Sequence, residues 1–514
     1  MPDTSSIAPA KVSCSGGLTL NKDVFSMSPG EALELKNFEP DITGGYKKIL
    51  GTTKFNTNVV PQVSSSTERV VMSALFNNVV LGARGGSIHR ASSGSGSWTS
   101  VVTGLGTPTT NYEFKKFNFD STNKIVICSA TSTPRIIDTS YSVTNVNATG
   151  SANFKFVEVF KNHIFFSGDS SNPQSLKFMA PFATNDFTTN SGGGEIKVDS
   201  TITGLKGFRD SLFIFCNDEI FKLVGNTSSD FQLQPVTRKI GCIDGRSIQE
   251  FGGDVIFLAP DGLRTIAGTD KIGDVELGTI SKQIQNITDA VTSHNLNSVI
   301  IRKKSQYRLF YPTSNDQAED SSKGIICVIK GTAQGGTGFE YAETVGLKVS
   351  CSDSDFINSE ETIISGGYDG FIFKQESGSS FTRATSEKNI DAFYRTPDMT
   401  MGDPGIRKSM QRVIWNYEND GNVTANFKVR YDFDSPDIPQ PSAYALTTGS
   451  GIAVYGLNAS TYGVGVYGSS GASLLRQSVE GSGFTVALRV EDLSTNLPIS
   501  FKGYQLEFIP GGRR

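Results

Sequence analysis

Histidine is nearly absent from this chain of 514 residues. There are three, His89, His163 and His294, too far apart in sequence to suggest a shared site. His163 sits beside the apolar run Ile-Phe-Phe and reads as a satisfied core or edge residue rather than a base. No H-E-x-x-H, G-x-S-x-G or Walker A pattern occurs, so the usual signatures of zinc peptidases, α/β-hydrolases and P-loop NTPases are missing. Tryptophan is rarer still, with only Trp98 and Trp415, too few for a sugar-stacking platform. The sialidase Asp-box, S-x-D-x-G-x-x-W, has only a poor echo in "SSGSGSWTS" (92–100), which lacks the Asp.

The six cysteines form no C-x-x-C pair, and Cys128, Cys216 and Cys327 lie inside apolar strand-like runs. They read as small buried hydrophobes in a protein folded in a reducing compartment. Charged residues make up 19% and the net charge is −4, which gives no case for a nucleic-acid-binding surface. No apolar run approaches a membrane span, and "MPDTSSIAPA" lacks the pattern of a secretory leader. Asp353 and Asp355 in "CSDSDF", and Asp432, Asp434 and Asp437 in "YDFDSPD", are acidic clusters without the glycine and distal glutamate of an EF-hand. The expectation is a protein that is not an enzyme, with no catalytic residue, no cofactor, no metal site and no membrane partner.

What is present is a repeated hairpin. Short apolar runs recur in 76–91, 123–138, 161–181, 208–223 and 251–268, with looser copies in 305–330 and 361–374. Each pairs an apolar strand of about five residues with a tight turn of Asn, Asp or Gly, residues that tolerate the positive φ of hairpin turns. The runs starting at Val79, Ile125, Ile164, Leu212 and Val255 are 39 to 48 residues apart, the size of a four-stranded propeller blade. A plain sandwich would show turns every 8–12 residues without the longer period.

The predicted fold class is all-β: a β-propeller over 61–397, an N-terminal arm over 1–60, and a small C-terminal β-sandwich over 398–514. The Gly/Ser-rich stretch 435–475 reads as a long projecting loop. In the arm, Ser28 is placed to cap a helix, Pro29 suits its first position, and Glu31 completes a capping box. A short helix over 28–38 is therefore expected. It is too short to stand alone, so Pro29, Glu31, Leu33, Leu35 and Phe38 form a candidate interface that docks within the chain or on a neighbour. The stretch 44–55 is expected to supply a strand to the propeller.

The stretch 16–55 resembles the opening of tail nozzle, or tail tubular protein B-like, hub proteins of short-tailed bacteriophages. The matching residues are Gly17-Leu18, Pro29-Gly30-Glu31-Ala32, Leu35, Asn37-Phe38, Gly44-Gly45 and Lys47-Lys48. The stretches 241–268, 305–312 and 389–415 are similar to later parts of such proteins. The resemblance implies a propeller with an accessory β-domain, in a virion tail assembled in the host cytoplasm. It also implies a homohexameric ring around the DNA ejection channel. Partners would be other copies of the chain, a tail adaptor protein, and a tail fibre, spike or plug protein, with DNA passing through without specific binding. The alternative is a propeller-type carbohydrate-binding or receptor-binding protein. A host cytosolic propeller scaffold would be expected to carry Trp-Asp repeats, which are missing.

Overall fold

The computed structural model describes residues 8–62, 69–147, 149, 151–267, 278–291, 295–314, 317–331, 337–419, 424–447 and 473–513. His294 and most of the loop expected over 435–475 lie outside them. Within the described residues the fold is all-β, with one four-residue α-helix, Gln285–Thr288, and a few 3-10 turns. The chain divides into two compact units. One comprises residues 53–322 and 348–375; the other comprises 1–52, 323–347 and 376–514.

The first unit is a β-propeller built from consecutive antiparallel meanders. Four are four-stranded, beginning at Met72–Phe76, Glu113–Asn118, Phe156–Phe160 and Ile202–Phe208. They are followed by the three-stranded sheet that begins at Gln249–Phe251, the hairpin Asn297–Ile301/Gln306–Phe310, and the meander Cys351–Ile357/Glu360–Gly366/Ile372–Gln375. The periodic apolar runs are the second strands: Val79–Arg84, Asn123–Cys128, His163–Ser167, Ser211–Cys216 and Asp254–Ala259.

These strands lack polar alternation because both of their faces are covered. Ile125 and Ile127 pack with Leu81, Ala83 and Ile88 on one side. Val126 and Cys128, pointing the other way, pack with Ile164 and Phe166. Successive side chains on a strand face opposite sides, so a strand between two blades must be apolar throughout. The first two strands of a meander are often joined by two residues of positive φ, as at Asn77-Asn78, Lys161-Asn162 and Asn358-Ser359. That is the twist a two-residue hairpin needs.

The second unit is a sandwich of two sheets. In one, the order is Phe38–Pro40, Tyr46–Lys48, Ile499–Arg513, Ile406–Asn419, Ser473–Ser478, with Ala8–Ser13 also paired to Ile499–Arg513. In the other, Lys323–Gly331, Thr337–Val345, Glu34–Lys36, Ala392–Arg395, Val486–Asp492, Thr424–Tyr431 and Tyr444–Thr447 follow one another. The sheets meet through aromatic side chains. Trp415 contacts Phe427 edge-on at 5.8 Å between centroids, and Tyr46 meets Tyr394 at 5.0 Å.

Two sequence expectations are corrected here and one is met in part. The sandwich is not confined to 398–514, because strands from the first 50 residues and from 323–347 occupy places inside its sheets. The stretch 44–55 does supply a strand to the propeller, Thr52–Lys54, which lies beside Ile372–Gln375, while the preceding strand Tyr46–Lys48 pairs with Ile499–Arg513 of the sandwich. The segment 28–38 is a turn followed by strands Glu34–Lys36 and Phe38–Pro40, not a helix. The capping chemistry is nonetheless partly present: Ser28 N–H donates to Glu31 Oε2 at 2.9 Å, and Glu31 N–H donates to Ser28 O at 3.0 Å. One closed turn satisfies those groups. Beyond it, Glu34–Lys36 finds partners on both edges, Thr337–Val345 in parallel and Ala392–Arg395 antiparallel, and cross-strand pairing outcompetes a short isolated helix. Asn37, at φ 53°, separates the two strands, and its side-chain amide donates to the carbonyls of Val345 and Asp391 at 2.9 Å each.

Candidate functional site

The segment flagged as an interface is largely used within its own unit. Leu35 and Phe38 are fully buried in the sandwich. Glu31 is buried and paired with Lys22 at 2.5 Å. Leu33 is half-buried, and Pro29 is exposed, with its carbonyl accepting from Tyr504 Oη at 2.7 Å. The apolar surface left here is Pro29 and the nearby Phe25, which is 70% exposed.

The acidic clusters resolve into ion pairs and turn caps. Asp353 and Asp355 both lie on Cys351–Ile357 and both pair with Lys116. Asp432 Oδ1 accepts from the backbone N–H of Phe484 and Thr485, and Asp434 pairs with Arg430 at 3.2 Å. Among the described residues no cluster of three His, Cys, Asp or Glu could hold a metal ion. All six cysteines are buried and unpaired as disulfides. His163 is buried, its Nδ1 2.6 Å from Met179 O, against Phe165, Phe178 and Phe231.

The concentrated chemistry lies in a cavity of about 320 Å³ in the propeller, where the first strands of several meanders converge. Five cations line it: Lys115, Lys116, Lys206, Arg246 and Arg302. Glu113, Asp353 and Asp355 line it too. Most of the charges tie one meander to another. Lys115 on Glu113–Asn118 reaches Glu158 on Phe156–Phe160 at 3.0 Å. Arg302 lies 3.5 Å from Glu361, and Lys116 bridges to Asp353 and Asp355. Arg246, in the 3-10 turn Gly245–Ser247, is clamped by Asp244, which accepts from Nε at 2.9 Å and Nη2 at 2.5 Å.

Three groups are left over. Lys206 has no ion pair or hydrogen bond among the described residues, and neither has the Glu113 side chain. Arg246 Nη1 is buried without a partner. The neighbouring Lys115 ammonium, followed by burial, pulls the Lys206 pKa down to about 8. Burial pushes the Glu113 carboxyl up, against the pull of Lys115, Arg246 and Lys206. Burial also opposes the Lys115 ammonium, but Glu158 and Glu113 outweigh it and raise its pKa.

Sequence reasoning missed this cluster because it looked for motifs, and the residues come from separate repeats. The signal was a charged residue inside the first strand of several repeats: Lys115 in "EFKKFN", Glu158 in "FVEVF", Lys206 in "ITGLKGF" and Asp353 in "CSDSDFI". Such a residue is out of place in a covered strand unless that strand borders a central opening.

Neither a family model nor a curated protein matches the chain. Among solved structures, the computationally designed Ika8 protein is similar at 10% identity and a TM-score of 0.35, over 63% of this chain and 99% of its own. BBS1N, solved in complex with ARL6DN, is similar at 9% identity and a TM-score of 0.39, over 67% of this chain and 100% of its own. An ancestral GH74 enzyme is similar at 9% identity and a TM-score of 0.40, over 71% of this chain and 53% of its own. At these scores the likenesses say nothing of activity.

Proposed function

We propose that this β-propeller protein is a structural component of a short-tailed phage tail, a nozzle or hub subunit. In this reading six copies form a ring around the DNA ejection channel, with an adaptor ring on one side and fibres, spikes or a plug on the other. The observation that carries the reading is the fate of the stretch with the strongest sequence resemblance. Residues 16–48 are built into an accessory β-sandwich in a chain that also carries a propeller, the combination of domains that the resemblance implies. Gly17 N–H donates to Tyr46 Oη, and Tyr46 Oη donates to Gly30 O at 2.7 Å, so residues of the motif hold one another in place.

The alternative is a propeller-type carbohydrate-binding or receptor-binding protein. Trp415 is fully buried in the sandwich, and Trp98 is half-buried with its indole N–H donated to Asn58 O at 3.0 Å. Trp415 therefore has no face open to a sugar ring, and a single half-buried indole is no stacking platform. Sedimentation velocity on the purified protein, paired with binding and cleavage assays on capsular polysaccharide, separates the two. A discrete assembly inert toward glycans supports the tail reading. A monomer that binds or cuts a glycan refutes it.

A further inference from the structure

We propose that the propeller's charged cavity is a binding site for a small phosphate-type oxyanion, held by Lys206, Lys115 and Arg246. Three observations converge on it. First, two incompletely satisfied cations share one cavity: Lys206 has no ion pair or hydrogen bond among the described residues, and Arg246 Nη1 is buried and unbonded. A buried guanidinium edge without an acceptor costs more than an exposed one, because its lost hydration is not replaced. An anion supplies the acceptor.

Second, the donors are fixed rather than loose. Asp244 grips Arg246 through Nε and Nη2, which leaves Nη1 without an acceptor. Ser298 Oγ donates to Arg246 O at 2.6 Å, anchoring the backbone that carries it. Glu158 holds the Lys115 ammonium through one contact at 3.0 Å, and an ammonium has further hydrogens to give. Donors positioned by their own partners lose little freedom on binding.

Third, the donors come from three separate places, Glu113–Asn118, Ile202–Phe208 and the turn Gly245–Ser247. Donors that converge from several walls suit a tetrahedral oxyanion, whose oxygens point in different directions. A planar carboxylate matches a single bidentate fork better. At about 320 Å³ the cavity also admits a phosphate monoester.

The competing reading is that Glu113 is the built-in counterion and the cluster is already neutral. It makes the opposite prediction for one variant. Removing the Glu113 charge should leave phosphate binding as tight or tighter if the site takes an exogenous anion, because a competing negative charge is gone. The test is isothermal titration calorimetry of inorganic phosphate, with acetate in a second arm, into the full-length protein at low ionic strength. Wild type should bind phosphate saturably and acetate at least about tenfold more weakly. Lys206→Met should weaken phosphate at least about tenfold, and Glu113→Gln should bind at least as well as wild type. Circular dichroism confirms that each variant is folded; should Lys206→Met fail to fold, Glu113→Gln decides. No saturable phosphate binding by wild type, equal affinity for acetate, an unaffected Lys206→Met, or a weakened Glu113→Gln would overturn the proposal.

Discussion

Lys48 Nζ lies 3.0 Å from Asp492 Oδ1 inside the sandwich, with the two side chains 1% and 2% exposed. The pair joins the N-terminal strand Tyr46–Lys48 to Val486–Asp492 near the end of the chain. Lys48 also donates to Ser494 O at 2.8 Å, and Asp492 Oδ1 accepts from Ser494 N and Oγ at 2.9 and 2.7 Å. Burial outweighs Asp492 and lowers the Lys48 pKa. The pair is therefore not a strong source of net stability, but breaking it strands a buried charge. Lys48→Met should cost about 3–5 kcal/mol in urea unfolding. Lys48→Met with Asp492→Leu should cost clearly less than the two single changes summed. A single-variant cost below about 1 kcal/mol, the range of exposed pairs, would show the pair is not buried as described.

The strand assignment of Glu34–Lys36 makes a contrast between two leucines. Leu35 is fully buried, and Leu33 is only partly covered. Leu35→Ala should destabilise by about 2–5 kcal/mol, and Leu33→Ala by much less. Trp415 fluorescence reports the sandwich directly, since that side chain sits between Phe427, Phe501 and Tyr504. Equal costs at the two positions would contradict the difference in burial between them.

Two glycines of the N-terminal motif separate backbone strain from steric clash. Gly44 has φ +96° with open space where a Cβ would go; Gly17 has φ +69°, and its Cβ would fall 2.7 Å from Tyr341 N. Gly44→Ala should cost only the left-handed backbone penalty of about 1–2 kcal/mol. Gly17→Ala should cost more, because the strand Thr337–Val345 would have to move. Thermal unfolding of the two variants side by side measures the difference, and equal midpoints would contradict the close approach.

Lys206 gives a pH signature. Its folded-state pKa is depressed to about 8 from the ordinary 10.5. Below pH 8 the ammonium is charged in both folded and unfolded chains, and the folded state bears the full penalty. Between 8 and 10.5 the unfolded chain binds more protons, so stability from this group rises with pH. Lys206→Met removes the titration. In phosphate-free buffer its stability relative to wild type should be highest at pH 7 and fall by pH 10. A difference independent of pH would mean that Lys206 titrates normally.

If the protein rings a DNA channel, its exposed surface must not grip phosphates. Of the basic pairs in the sequence, Arg407-Lys408 contributes less than it promises: Lys408 is 2% exposed, its ammonium donating to the carbonyls of Asp403 and Phe484. The purified protein should not retard duplex DNA in a gel shift at about 0.15 M salt, where non-specific binders still reach roughly 10⁻⁴–10⁻⁶ M. Salt-sensitive retention would refute free passage.

The propeller was legible because its covered second strands are apolar throughout and recur at blade spacing, as Ile125–Cys128 and Leu212–Cys216 do. The sandwich was read only from its C-terminal part. Its missing strands, Glu34–Lys36, Tyr46–Lys48 and Thr337–Val345, come from distant segments, and pairing across hundreds of residues leaves no local pattern. Ser28, Pro29 and Glu31 carried a true capping signal, but a turn satisfies it as well as a helix does. Leu33 and Leu35 at period two, with Asn37 as a break, were the contrary evidence. The cavity charges escaped notice because no two of its cation-bearing segments share a repeat.

The central claim, a ring-forming tail subunit, is tested most directly by electron microscopy of the purified full-length protein. The account predicts closed rings with an open central channel and one dominant rotational symmetry. Monodisperse single particles that stay unassembled at high protein concentration would contradict it.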